Sequence, residues 1–204
     1  MVSELVPLDP AALGPSDDLA VAVAQLGAAL VAEDLPTQHR DDVVTFVTAH
    51  PDAALRSCVE GHLTGSALVV DAEAGATLLL LHAKLGRWFQ PGGHADGDTN
   101  LAAVAWREAT EETGIADLVV HAPAIDVDIH EVDPPGEPAH LHLDTRFLVV
   151  APPGAVEQTN HESLGARWVR LEDLDALEPP IDDSTRRLVR VGLAAAARLV
   201  GGAG

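Results

Sequence analysis

The segment from Gly92 to Ile115 constrains this chain more than any other stretch, because it joins a double-glycine turn to a helix crowded with carboxylates. Its residues predict a helix over 101–113, in which Glu108, Glu111 and Glu112 stand at i, i+3 and i+4 and share one face. Like charges at that spacing cost an isolated helix roughly 0.2–0.5 kcal/mol per pair. The arrangement asks for a counter-charge, and a hard divalent cation held by oxygen ligands supplies one. Upstream, strands are predicted over 63–70 and 76–82 across a turn at 71–75. Arg87, Trp88 and Phe89 then lead through Pro91 into Gly92-Gly93, so the chain runs strand, glycine loop, helix. Without a cation, the same residues would make a solvated acidic helix ended by Gly114.

The run Arg107-Glu108-Ala109-Thr110-Glu111-Glu112-Thr113-Gly114-Ile115 resembles the Nudix box, with Gly93 at the family's distance upstream. It departs at the first box glutamate, where Thr99 stands with Asp98 beside it, so that carboxylate has either slid along the loop or been lost. The resemblance implies an α/β/α sandwich built on a mixed sheet. It also implies metal-dependent cleavage of the pyrophosphate bond in a nucleoside diphosphate linked to another moiety. Glu108, Glu111, Glu112 and the carbonyl of Gly92 would hold Mg²⁺ or Mn²⁺, and Arg107 would orient a box carboxylate. The family often adds a carboxylate from a later loop; Glu162 is the candidate, with Glu131 in reserve. Glu111, Glu108, Arg107 and Glu162 are the expected catalytic residues.

Charge narrows the ligand. The 204 residues carry a formal net charge of -20 at pH 7, which repels a nucleic-acid polymer. A small phosphorylated substrate, a nucleotide derivative by resemblance, remains open because a bound metal inverts the local field. Lys84 and Arg87 are candidates to meet phosphate oxygens, and Trp88 is the best-placed ring in a chain with no tyrosine. Cys58 is the single cysteine, so no internal disulfide forms and a reducing cytoplasm fits. No signal peptide or membrane span is expected.

The chain divides into an N-terminal helical extension over 1–58 and a Nudix domain over 59–204. Residues 1–15 are expected to be loosely ordered, with one helix capped by Ser16 and running to about Ala32 and another over 38–49. After the box, strands are expected over 118–121, 125–131, 140–150 and 166–169, then a last helix from 182 to about 200. The resemblance implies that a homodimer is possible.

Two of these strands alternate in polarity. Asp126, Asp128 and His130 face one way, with Ile125, Val127 and Ile129 the other; His140, His142, Asp144 and Arg146 alternate likewise. Antiparallel pairing about the loop between them would set His130 against His140, Asp128 against His142 and Asp126 against Asp144. Such a face reads substrate, with His142 and Asp144 as the candidates, or holds a second metal, or is a solvated sheet face with cross-strand charge pairs. His94 either touches substrate or fixes the glycine loop by hydrogen bonding. Two further classes compete with the hydrolase. A Nudix-fold sensor would bind a nucleotide or sugar phosphate without cleaving it, but such proteins usually lose box glutamates that are intact here. An isoprenoid diphosphate isomerase would need a cysteine at the glycine turn, and Cys58 lies far upstream.

Overall fold

Alternation along one central strand sets the layers. In β2 (Gly61–Val70), Leu63, Ala67 and Val69 enter one hydrophobic core while Leu68 and Val70 enter another, as period-two geometry demands. The computed structural model describes residues 4–133, 136, 138–158 and 163–201. Around β2 lie β1 (Val6–Pro7), β3 (Thr77–His82), β4 (Trp88–Phe89), β5 (Gly92–His94), β6 (Val119–Val132), β7 (His140–Val150) and β8 (Ser163–Val169). They form one mixed sheet in the order β1-β6-β7-β2-β3-β4, with β5 added to β2 and β8 to β3. Parallel pairing joins β2 to β7, and the other pairs are antiparallel.

Three helices cover one face: α1 (Leu19–Ala28), α2 (Asp34–Ala49) and α3 (Leu101–Thr113). The other carries α4 (Asp183–Gly201), whose Leu188, Val189, Leu193 and Ala196 pack on Leu68, Ile125 and Leu148. The result is the expected α/β/α sandwich. Helix α3 has the bounds its sequence predicts. Ala102, Ala105 and Ala109 let it lie close against the sheet, Asn100 caps its start, and Gly114 ends it in the left-handed region at φ 64°.

Several expectations need correction. Asp18, not Ser16, caps α1, which stops at Ala28; α2 begins earlier, at Asp34, and β8 at Ser163. The two strands expected over 118–131 are the single β6, with an irregularity in its pairing between His121 and Asp126. That break lets Ile125 reach the α4 core on the side where Asp126 meets α4, rather than the opposite side. Residues 4–15, expected to be loose, are tied down. Val6 and Pro7 pair with β6, a 3₁₀ turn follows at Pro10–Leu13, and Asn100 Nδ2 donates to the carbonyls of Ala12 (2.9 Å) and Gly14 (2.8 Å).

Candidate active site

Strand β5 is the hinge of the site, because its residues face alternate sides. Gly93 points at α3: a Cβ there would lie 2.5 Å from Glu108 Oε2, so only glycine lets that carboxylate press against the main chain. The Gly92 N–H donates to Glu112 Oε2 at 3.3 Å. Because both main-chain groups of a strand residue share an edge, the Gly92 carbonyl faces the same way. Glu108 and Glu112 are half-buried and Glu111 is exposed. Arg107 lies against Glu108 Oε1 through Nε (3.3 Å), and its Nη2 donates to the His94 carbonyl (3.2 Å), so it ties helix to strand.

Asp98, next to the Thr99 that stands at the first box-glutamate place, faces Arg107. Its Oδ2 lies 3.6 Å from Arg107 Nη1, and its Oδ1 accepts from the backbone N–H groups of Ser16 and Asn100. Thr99 turns away, donating to the carbonyls of Ser16 and Asp18. The N-terminal segment thereby fixes the loop that enters α3. Gln25 completes this by accepting from the Leu101 N–H (2.8 Å) and donating to Asn100 Oδ1 (2.7 Å). The carboxylates of Glu108 and Glu112 both lie against the glycine strand and offer the oxygen chemistry a hard cation such as Mg²⁺ takes, and the space that Gly93 leaves admits the Glu108 carboxylate; among the described residues exposed Glu111 does not draw together with them into one ligand cluster.

On the opposite face, β6 and β7 do pair antiparallel, but the register is displaced by two residues from the expected one. His130 opposes His142, Asp128 opposes Asp144, and Asp126 opposes Arg146. A two-residue shift keeps every side chain on its expected face and changes its partner. This face is not solvated. Arg146, 3% exposed, lies between Asp126 (3.0 Å), Asp128 (3.2 Å) and Asp144 (2.7 Å), and Arg187 of α4 reaches Asp126 and Asp128 as well. Burial pushes the Asp128 carboxyl up, but the His130 hydrogen bond, Arg146 and Arg187 overcome it and hold it well below the usual range. Burial likewise works against the Arg146 charge, and Asp144, Asp128 and Asp126 more than compensate. Asp144, expected to read substrate, is instead buried and accepts from Thr64 Oγ1 (2.9 Å), Ser66 Oγ (2.8 Å) and Arg146 Nε.

Beyond this ionic band the face becomes a histidine cluster. His62 of β2, His94 of β5 and His142 of β7 place ring nitrogens within 4.8 Å of one another, and the Nε2 atoms of His94 and His142 are 3.2 Å apart. Burial pushes His94 down to about 4, with Arg56 and His62 adding to it, and His142 down to about 2, with His94 and His130 adding to it. Both rings are neutral at pH 7. His62 was not anticipated. Its signal was the alternation His62, Thr64, Ser66 in a strand otherwise apolar, the pattern that marked its neighbour β7.

The remaining candidates lie elsewhere or have other work. Lys84 and Arg87 are exposed in the turn between β3 and β4. Trp88 packs against the α4 core, and its Nε1 donates to the Glu178 carbonyl at 3.1 Å, so the ring is committed to the fold and is not a free stacking platform. Glu162 lies outside the described residues.

A NUDIX domain model matches residues 62–191 of this chain. Among solved structures, a C. elegans Ap4A hydrolase in a binary complex is 21% identical, with a TM-score of 0.52 over 69% of this chain and 98% of that one. A possible asymmetric Ap4A hydrolase from Jonesia denitrificans is 16% identical, with a TM-score of 0.51 over 67% and 95%. A NUDIX hydrolase from Alicyclobacillus acidocaldarius, also 16% identical, has a TM-score of 0.50 over 70% and 95%. At these identities the likeness is one of fold. No curated protein matches.

Proposed function

The chain belongs to the Nudix family of metal-dependent hydrolases, and we propose that it splits the pyrophosphate bond of a nucleoside diphosphate linked to another moiety, using the glutamate face of α3. The observation that carries this reading is the contact of Glu108 with Gly93, which holds a box carboxylate against the glycine turn beside Glu112. Mg²⁺ or Mn²⁺ bound there would neutralise the diphosphate and make a water a better nucleophile. Glu108 and Glu112, with the Gly92 carbonyl, supply the oxygen ligands. Arg107 aims Glu108, and Asp98 braces Arg107 in place of the missing glutamate. Glu111, exposed on the same helix face, accepts the proton of the attacking water at a carboxylate oxygen. Glu162 is a second candidate for that proton. Lys84 and Arg87 sit on the turn that precedes the glycine strand, where they would meet the far phosphate or the attached group.

We place the reaction in the cytoplasm on the support of a lone buried thiol, Cys58, and a formal charge of -20. Among the described residues no helix is long and apolar enough to cross a membrane. The test is product release from nucleoside triphosphates, ADP-ribose, dinucleoside polyphosphates and nucleotide sugars with Mg²⁺ or Mn²⁺. The expected result is metal-dependent cleavage of at least one class into two phosphorylated products or a nucleotide and pyrophosphate. Tight binding of one class with no turnover of any would make the protein a sensor instead.

A further inference from the structure

Behind β5, on the side away from Glu108, the chain gathers nitrogen ligands in place of oxygen. His94 follows Gly93 in the strand and so projects to the opposite face, where His62 and His142 come from the parallel pair β2 and β7 in direct register. His62 is 3% exposed, and among the described residues neither of its buried ring nitrogens has a hydrogen-bond partner at ordinary distance, the Cys58 backbone acting on the ring only from farther away. A buried imidazole without partners is rare in a protein interior, and a cation ligated at one nitrogen accounts for it. The 3.2 Å between His94 Nε2 and His142 Nε2 is close to the about 3.3 Å that two imidazoles on one tetrahedral Zn²⁺ would show, given Zn–N bonds near 2.0–2.1 Å.

We propose that His62, His94 and His142 form a second metal site, selective for a borderline divalent cation of the Zn²⁺ type and separate from the Mg²⁺ or Mn²⁺ site on α3. Neutral imidazoles suit Zn²⁺ and its transition-metal neighbours, whereas Mg²⁺ demands oxygen ligands and gives up its water reluctantly. The surroundings are those of a metal-binding histidine cluster. The His140 ring, centred 4.8 Å from His62 and 5.3 Å from His142, has its Nδ1 at 2.9 Å from the Pro138 carbonyl, which fixes that nitrogen as donor and holds the ring beside the three histidines. His130 is held by Asp128 through Nδ1 at 3.2 Å beside His142. Ligation at His94 would also clamp the strand whose carbonyl Arg107 grips, so the two sites share one short piece of backbone.

The experiment is equilibrium dialysis of chelator-stripped full-length protein against Zn²⁺ in excess Mg²⁺, with metal analysis of wild type, Glu108→Gln/Glu112→Gln, His94→Gln and His142→Gln. Wild type and the glutamate double variant are expected to retain about one Zn²⁺ per chain, and each histidine variant to bind it at least roughly tenfold more weakly. Imidazole nitrogen NMR of wild type provides a readout independent of variant folding, with added Zn²⁺ shifting the ligating nitrogens of His62, His94 and His142. No retained Zn²⁺ in wild type, unshifted imidazole signals, or Zn²⁺ lost in the glutamate variant and kept in the histidine variants would overturn the proposal.

Discussion

The two sides of β5 handle charge in opposite ways. Towards α3, the half-buried carboxylates of Glu108 and Glu112 lie against a glycine turn, with Arg107 set against Glu108 and Glu111 exposed beyond them. Towards α4, the acids are buried and already answered, because Arg146 meets Asp126, Asp128 and Asp144 while Arg187 meets Asp126 and Asp128 as well. Three residues of strand separate the two. Asp144 is buried among Arg146, Thr64 and Ser66, whereas Glu108 is half-buried against Gly93 and Arg107, and this difference in burial separates the two carboxylates more sharply than residue type does.

The comparison breaks most visibly at Glu108. Glu108→Gln removes a proposed metal ligand and one of the partners of Arg107, and should lower kcat by about a thousandfold while leaving the fold intact, as steady-state rates and circular dichroism together would show. Arg146→Ala acts on the other side. It leaves three buried carboxylates short of their counter-charge and should cost about 3–5 kcal/mol in denaturant unfolding. Gly93→Ala sits between the two, since its methyl displaces the Glu108 carboxylate. A fall of roughly a hundredfold in kcat/KM with little loss of stability is expected, as for any misplacement of about 1 Å near the chemistry.

Acid sharpens the contrast. The Asp128 carboxyl is held down in the fold, so its stabilisation is present above the ordinary carboxylate pKa and is lost as pH falls through and below it, when the unfolded chain takes up a proton that the fold refuses. Unfolding free energy measured from pH 6 to pH 3 should therefore fall, and less steeply in Arg146→Met, where that restraint is relaxed. The smallest effect belongs to the N-terminal stitch. Asn100→Ala removes the α3 cap and its bonds to Ala12 and Gly14, for about 1–2 kcal/mol by thermal or denaturant melting.

What could be read from the sequence follows strength of pattern. Helix α3 and strand β7 have their predicted bounds because each carries an unbroken period, 3.6 in the first and two in the second. Alternation fixes parity and nothing more, so the β6–β7 register lies two residues from the expected one with every paired side chain on its expected face. The usable clue was Arg146: sliding by two sets it opposite Asp126, where the expected register set two acids together. The length of β6 was hidden by Pro123 and the pairing break, which read as a gap between two strands. The hold of residues 9–25 on the loop before α3 depends on single polar atoms such as Gln25 Oε1, which leave no periodic trace. His62 lay in plain view but gained meaning only when β5 brought His94 beside it.

Glu111 tests the account most directly, because it is exposed and makes no described hydrogen bond, so its replacement reports on chemistry and not on folding. The measurement is kcat for Glu111→Gln against wild type, on the best substrate of the pyrophosphate panel with saturating Mg²⁺. A loss of about a hundredfold or more, with an unchanged melting temperature, is the predicted result for removal of a general base. Turnover undiminished in the variant would contradict the assignment of hydrolysis to the glutamate face of α3.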